Sequence, residues 1–172
     1  MLPNHSNTTG TTVNTHRDGG CLCGSVRFRA AGEPLQTMVC HCKFCQRVTG
    51  STSYAESLYP IEAVQFSGEP LAKYSHRSEN SSKLVHVHFC NRCGTTVSLT
   101  FERWPEYRAI SRGAFDEPNS VSIGSHLWTS SAQSGVVLPA ATDCFQFARA
   151  ELDGTPRSPE RFESPRAAKS DA

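Results

Sequence analysis

The stretch LVHVHFCNRCGTTVSLTF, residues 84–101, joins two alternating segments through a cysteine turn. In its first segment three apolar residues alternate with His86 and His88, the period-two pattern that is typical of a β-strand. The joining segment, CNRCG, places two thiols where they can face one metal ion, and its glycine relaxes the bend that follows. We therefore predict a strand, a metal-binding turn and a second strand.

Similar short strands are predicted on both sides of this stretch. SVRFRA and VSIGSHLW show the same character, and EAVQFSGEPLAKYSH indicates two strands around a Gly-Glu-Pro turn. No segment has the periodicity of a long amphipathic helix, although CKFCQRVTG is compatible with a short helical turn that ends at Gly50. The predicted fold class is mostly β: a small, zinc-stabilised single domain of short antiparallel strands.

Composition sets the expected limits of this domain. Residues 1–18 are mostly Asn, Thr, Gly and His, with little to bury, and are predicted to form a disordered N-terminal tail. Residues 152–172 mix Pro, Ser and charges of both signs, and are predicted to form a disordered C-terminal tail. The folded domain is expected to occupy residues 19–151.

The bulk properties of the 172-residue chain exclude several classes of partner. A formal net charge of +1 gives no electrostatic reason to expect nucleic acid or an acidic membrane surface. No run of about 18 apolar residues is present, so no membrane span is expected. The eight cysteines lack a preceding secretory signal, which favours metal ligands over disulfides and predicts a reducing, cytoplasmic location.

Two cysteine pairs are each followed by glycine. Cys21 and Cys23 lie in GGCLCG, and Cys90 and Cys93 lie in CNRCG. Two such pairs form a closed tetrahedral Cys₄ zinc site, which would join the start of the domain to its middle. Spacing alone leaves open that Cys40 or Cys42 pairs with Cys93 instead, and that the cysteines are ordinary buried residues.

A third cluster, VCHCKFCQRVTGS, holds Cys40, Cys42 and Cys45 within six consecutive positions. Three protein ligands with an open position are typical of a catalytic zinc, whereas structural sites are closed. Three thiolates make the metal a weak, soft Lewis acid, which favours thiol or thioether chemistry over hydrolysis. The alternative is that a fourth ligand closes the site, and the candidates are Cys144, His41, His86, His88 and His126.

At these residues the sequence resembles the glutathione-dependent formaldehyde-activating (GFA) family, which also includes the centromere-protein-V-type domains. The resemblance runs from GGCLCGSVRF through CHCKFCQRVTGS and FCNRCGTTV to GSHLW. The ordered set C-x-C-G, C-H-C-x-x-C and F-C-x-x-C-G is far more specific than any single pair. Two positions depart from the family pattern: Gln46 replaces a frequent basic residue, and SAQSGVVLP lacks a common tryptophan.

The resemblance implies a mostly β fold with two zinc ions per chain. It assigns Cys21, Cys23, Cys90 and Cys93 to a structural zinc, and Cys40, Cys42 and Cys45 to a catalytic zinc. It also implies a carbon–sulfur lyase that joins glutathione and formaldehyde reversibly into S-hydroxymethylglutathione. The expected partner is therefore a small thiol or aldehyde substrate, with glutathione as a co-substrate.

Several polar residues near the clusters are candidates for the chemistry. His41 lies between two ligands and could shuttle a proton, or could act only as a spacer. His86 and His88 share one face of a strand that leads into Cys90; they could line the pocket, or form a polar outer face. Lys43 and Arg47 could bind glutathione carboxylates, and Arg47 is also a catalytic candidate, but both could equally be solvated charges.

Two other functions remain as alternatives at this point. One is a non-catalytic zinc module that binds protein or chromatin, although no basic extension supports it. The other is an enzyme of the same family that acts on an imine, a thiohemiacetal or a sulfur-containing metabolite. An exposed strand edge is also compatible with a homodimer.

Overall fold

In the computed structural model of the chain, residues 16–168 are described. The first half of this range contains strands β1 (His16–Gly20), β2 (Val26–Ala31), β3 (Gln36–Cys40), β4 (Tyr54–Pro60), β5 (Val64–Gly68) and β6 (Leu71–Arg77), and the helix α1 (Lys43–Thr49). The second half contains β7 (Leu84–Cys90), β8 (Thr96–Phe101), β9 (Tyr107–Ser111), β10 (Ser125–Leu127), β11 (Val137–Leu138), β12 (Asp143–Phe145) and β13 (Arg166–Ala167). The predicted mostly β class is confirmed, and the short helix ends at Gly50 as expected.

The strands form one large sheet and two small ones. The large sheet has eight strands in the order β12-β10-β3-β4-β9-β8-β7-β6, and the others have the orders β1-β2-β5 and β11-β13. The two strands predicted around Gly-Glu-Pro are present, but β5 pairs with β2 while β6 pairs with β7. The Gly-Glu-Pro segment therefore carries the chain from one sheet to the other.

The two faces of the large sheet bury different apolar clusters, because side chains alternate along a strand. On one face Tyr59 and Ile110 pack with Phe28 of the three-stranded sheet. On the other face Tyr54, Val87, Leu99 and Ala109 pack with α1 and with Cys40 and Cys45. We call the first the inner face and the second the helix face.

The expectation of purely antiparallel strands is wrong at one end of the large sheet. Strand β10 pairs in parallel with both β3 and β12. A parallel neighbour requires a long connection, and more than eighty residues separate β3 from β10, so local sequence holds no sign of this pairing.

The predicted C-terminal tail needs correction for residues 152–168. Strand β13 pairs with β11, and Cys144 exchanges backbone hydrogen bonds of 2.9 and 2.8 Å with Glu160. These backbone bonds need no apolar side chains, which is why a Pro- and Ser-rich composition did not reveal them.

The predicted N-terminal boundary also shifts, because β1 begins at His16 rather than after residue 18. The rest of the predicted N-terminal tail, residues 1–15, and residues 169–172 lie outside the described part of the chain. Within the described residues, no helix has the length and apolar character needed to cross a membrane.

Candidate functional site

Four of the cysteines meet where the β1–β2 connection approaches the β7–β8 turn. The Sγ atoms of Cys21, Cys23, Cys90 and Cys93 all lie within 4.8 Å of one another. Two of these separations are 3.6 Å, between Cys21 and Cys23, and 3.8 Å, between Cys23 and Cys90. Gly24 and Gly94 follow the two pairs with φ values of +74° and +72°, so both bends use a conformation that other residues rarely adopt.

Polar neighbours favour the thiolate form in this four-cysteine cluster. The Thr95 hydroxyl lies 3.2 Å from the Cys93 sulfur and, with its own N–H, lowers the pKa of Cys93 to about 5. Burial opposes ionisation of Cys21, but the Val26 N–H and the Ser25 hydroxyl outweigh it and lower its pKa to about 7. The thiolate forms of Cys21 and Cys93 are therefore favoured, and thiolates are the form in which cysteine binds a metal cation.

The remaining three clustered cysteines meet at the junction of β3 and α1. Cys40 ends β3, Cys42 is the N-cap of α1, and Cys45 lies in its first turn. Their sulfurs lie within 4.8 Å of one another, and those of Cys40 and Cys42 are 3.5 Å apart. Cys40 and Cys45 are buried, whereas Cys42 is partly exposed and gives this three-cysteine cluster its access to solvent.

The three thiols of this cluster differ in acidity because they lie within hydrogen-bonding distance of one another. Hydrogen bonds from the Cys40 and Cys45 thiols lower the pKa of Cys42 to about 3, although burial opposes the shift. The same hydrogen bonds to Cys42 contribute to raising the pKa of Cys40 and Cys45 well above the usual thiol range. A bound cation would remove this competition, because each sulfur could then ionise.

Both clusters fit zinc by donor type and by spacing. Tetrahedral zinc with Zn–S bonds of about 2.3 Å places its sulfurs about 3.8 Å apart, close to the separations here. In residues 16–168 no further Cys, His, Asp or Glu joins the three-cysteine group. The four-cysteine cluster can thus be a closed site and the three-cysteine cluster an open one, and the alternative pairing of Cys40 or Cys42 with Cys93 does not occur.

Aromatic and aliphatic side chains surround the three-cysteine cluster on the helix face. Phe44 and Trp128 pack against it, together with Val87 and Leu99. Phe44 also stacks on the ring of His76, with centroids 4.9 Å apart. Such an apolar environment excludes water and strengthens electrostatic effects at the sulfurs.

The structure does not bring His41 into the opening of this cluster. Its ring is buried and stacks on His126, with Nε2 3.0 Å from Nδ1 of His126. In the sheet Cys40 pairs with Leu127, so His126 and Cys40 point to opposite faces. His41 is therefore a buried residue on the far side of the sheet from the sulfurs, and its predicted catalytic role is not supported by its position.

His86 and His88, predicted as pocket residues of the three-cysteine cluster, lie away from it. Val87, between them, packs on the helix face, so both imidazoles point to the inner face. His88 bonds the Thr100 hydroxyl at 2.9 Å, and His86 bonds Ser75 at 2.8 Å. Both imidazoles thus lie on the opposite face of the sheet from the three-cysteine cluster, and their role at that cluster stays a prediction. Period two shows which residues share a face but not which face holds the site.

Lys43 and Arg47 are exposed on α1, one helical turn apart. Arg47 lines an open cleft of about 420 Å³ with Gln46, Ser51, Thr52 and Gln133. Gln46 is buried and fixed by hydrogen bonds to the carbonyls of His41 and Ser131, at 2.7 and 2.9 Å. The two basic side chains thus lie on the exposed face of α1, whereas Cys45 lies on its buried face.

Sequence analysis missed one ionisable residue at the site, Glu56. It lies in β4 on the helix face, between Tyr54 and Leu58, and is only 8% exposed. Burial, followed by the charge of Cys42, raises the pKa of Glu56 to about 8. The available signal was an acidic residue inside YAESLYP, but this acid also interrupts the apolar alternation by which strands are recognised.

Comparisons with known proteins identify the family of this chain and several relatives. The family model described as "Glutathione-dependent formaldehyde-activating enzyme" matches residues 16–131, more than half of the chain. A Halomonas elongata protein, provisionally named for the same activity, is 30% identical over 92 residues, which are 52% of this chain and 59% of that protein. An uncharacterized lyase of Schizosaccharomyces pombe is 27% identical over 131 residues, 76% of this chain and 85% of that protein.

A solved structure is also similar. The crystal structure of a Rhodobacter sphaeroides protein aligns with a TM-score of 0.48 at 18% identity, and the alignment covers 62% of this chain and 96% of that one.

Proposed function

The chain belongs to the glutathione-dependent formaldehyde-activating enzyme family, and we propose that it is a zinc-dependent carbon–sulfur lyase that reversibly joins a thiol to formaldehyde. The observation that carries this proposal is the three-cysteine cluster. Three converging sulfurs have no fourth ligand among residues 16–168, and one of them, Cys42, reaches solvent. A closed structural site would have a fourth protein ligand, as the four-cysteine cluster does.

The seven clustered cysteines are proposed to form two metal sites with different roles. Cys21, Cys23, Cys90 and Cys93 would hold a structural zinc, and Cys40, Cys42 and Cys45 would hold the catalytic one. Zinc at the three cysteines supplies a cationic, soft position that favours the thiolate form of a substrate thiol. The apolar wall that includes Phe44 and Trp128 would exclude water from the adduct.

Glutathione is the proposed thiol, and the charges of α1 support it. Lys43 directly follows the N-cap cysteine, and Arg47 lies one helical turn further on. Both are exposed without a carboxylate partner among the described ion pairs. Guanidinium and ammonium groups bind carboxylates, of which glutathione has two. These residues are proposed to hold the peptide part of the substrate, not to take part in bond formation.

The proposed function is tested by measuring zinc per chain and the glutathione-dependent loss of formaldehyde, with the uncatalysed condensation subtracted. We expect two zinc ions in the wild type and one in Cys42→Ser, which keeps a hydroxyl at the helix N-cap. The variant should lose the activity while its circular dichroism spectrum is unchanged. Cys144→Ala is the matched control, because Cys144 is buried outside both clusters.

Two results would overturn the proposal. A wild-type rate equal to the uncatalysed background would exclude this activity. Loss of the fold in Cys42→Ser would mean that the three-cysteine cluster is structural, as expected of a module that binds another macromolecule.

A further inference from the structure

Glu56 is a buried acid whose Oε2 atom has no hydrogen-bond partner within the fold. It pairs in the sheet with Met38 of β3 and Ser111 of β9, at the centre of the large sheet. Tyr54 and Leu58, two residues away on either side, share its face and pack in the cluster that contains Cys40 and Cys45. The Glu56 side chain therefore extends toward the three-cysteine cluster from the strand next to β3.

The carboxyl group of Glu56 has no partner that would explain its burial. Its Oε2 atom is buried without a hydrogen bond, and Glu56 takes part in none of the ion pairs of the described residues. The neighbouring Tyr54 hydroxyl bonds Ser111 at 2.6 Å instead. A buried carboxyl without a partner costs stability, and such groups concentrate at sites of function.

Glu56 lies on the same face of the sheet as Cys40 but is not one of the ligands. The pKa of Cys45 is raised first by the Cys40 and Cys42 thiols, and Glu56 is among the smaller causes of the same sign. Its oxygens do not belong to the group of ligand atoms that lie within 4.8 Å of one another. This position suits a group that contacts whatever is bound at the cysteines.

We propose, on the basis of the proposed function, that Glu56 is the proton donor and acceptor for the adduct formed at the three-cysteine cluster. As the thiol sulfur forms the C–S bond, the π electrons of the aldehyde move to oxygen, and Glu56 gives its proton to that oxygen. The proton released by the thiol then returns to Glu56. The thiol and the aldehyde thus give one hydroxymethyl thioether, with nothing oxidised or reduced, and the reverse sequence cleaves it.

The chemistry of the reaction requires such a group. An aldehyde oxygen that receives an electron pair must be protonated, and a positioned carboxyl group can supply that proton. Glu56 lies on the helix face between Tyr54 and Leu58, which pack in the apolar cluster that contains Cys40 and Cys45. His41, His86 and His88 point to the inner face instead.

The test compares the wild type with Glu56→Gln, which keeps the shape of the side chain but carries no transferable proton. We expect kcat to fall at least about 100-fold while the KM for the thiol changes less than about twofold. Zinc content should stay at the wild-type value. Glu62→Gln is the matched control, since it removes an exposed carboxylate just beyond β4 and should leave kcat unchanged.

Two further measurements separate this role from a structural one. The melting temperature of Glu56→Gln should equal or exceed that of the wild type, because an unpartnered buried carboxyl is removed. In the wild type, adding thiol should change an infrared carboxyl band that is absent from Glu56→Gln.

Each contrary outcome is decisive. A kcat within twofold of the wild type, a lowered melting temperature with lost zinc, or no thiol-sensitive band would overturn the role of Glu56 alone. A wild type without activity above background would overturn the proposed function and, with it, this inference.

Discussion

At the scale of single residues, the pair formed by His41 and His126 shows how burial sets protonation. The two rings stack with centroids 5.3 Å apart, and His126 is 8% exposed. Burial, followed by the proximity of His41, lowers the pKa of His126 to about 4. His126 is therefore neutral in the folded protein across the range in which a free histidine gains its proton.

This shift predicts an acid-sensitive stability. Between pH 6.5 and 4 the unfolded chain binds a proton at His126 that the folded chain does not, so the free energy of unfolding falls as the pH decreases through this window. From pH 7 to pH 5 the loss from this residue should be about 2 kcal/mol. Urea unfolding of His126→Gln should show a smaller decrease over the same interval than the wild type; equal decreases would contradict the prediction.

At the scale of elements, the short helix α1 positions two of the three clustered cysteines. Its seven residues include Cys45, its N-cap is Cys42, and its last turn is closed by Gly50 in the left-handed conformation, with φ of 62°. The Gly50 N–H bonds the Gln46 carbonyl and so completes the helix. The geometry of two of the three proposed ligands thus depends on both ends of one helix.

Replacing Gly50 should therefore disturb the three-cysteine cluster. Gly50→Ala is expected to lower the free energy of unfolding by about 1 kcal/mol, because alanine disfavours positive φ. It should also weaken zinc retention at the open site, measured with a competing chelator. The control is Gly113→Ala, where the added methyl meets no atom within 4 Å and φ is not positive. If both variants behave alike, the helix end does not position the ligands.

At the scale of the whole molecule, the four-cysteine cluster connects the two principal sheets. Cys21 and Cys23 follow β1 of the three-stranded sheet, whereas Cys90 ends β7 of the eight-stranded sheet and Cys93 follows in the turn. Between these sheets lies the apolar cluster of the inner face, which includes Cys21 and Cys90 themselves. A metal held at this point would stabilise the packing of one sheet on the other.

The two clusters should consequently differ in their effect on folding. Cys90→Ser is expected to remove a stabilisation comparable with the whole stability of a domain, about 5–15 kcal/mol, and to abolish cooperative thermal unfolding. Cys42→Ser should unfold cooperatively at nearly the wild-type temperature. Thermal melts followed by circular dichroism, with zinc per chain measured on the same samples, compare the two. Similar melts for both variants would contradict the division into a structural and an open site.

The class of fold and the chemistry proposed for this protein follow from short segments of its sequence. Ligand type and spacing are local properties, so both cysteine pairs, the three-cysteine cluster and the family could be predicted from short segments, as could strands such as β7. Other features depend on long-range pairing: His86 and His88 face away from the three-cysteine cluster, β10 runs parallel to β3, residues 152–168 pair with the domain, and Glu56 shares the sheet face that carries Cys40. The physical reason is that alternation records which side chains share a face, whereas the partner of each face is set by pairing between strands that are distant in sequence.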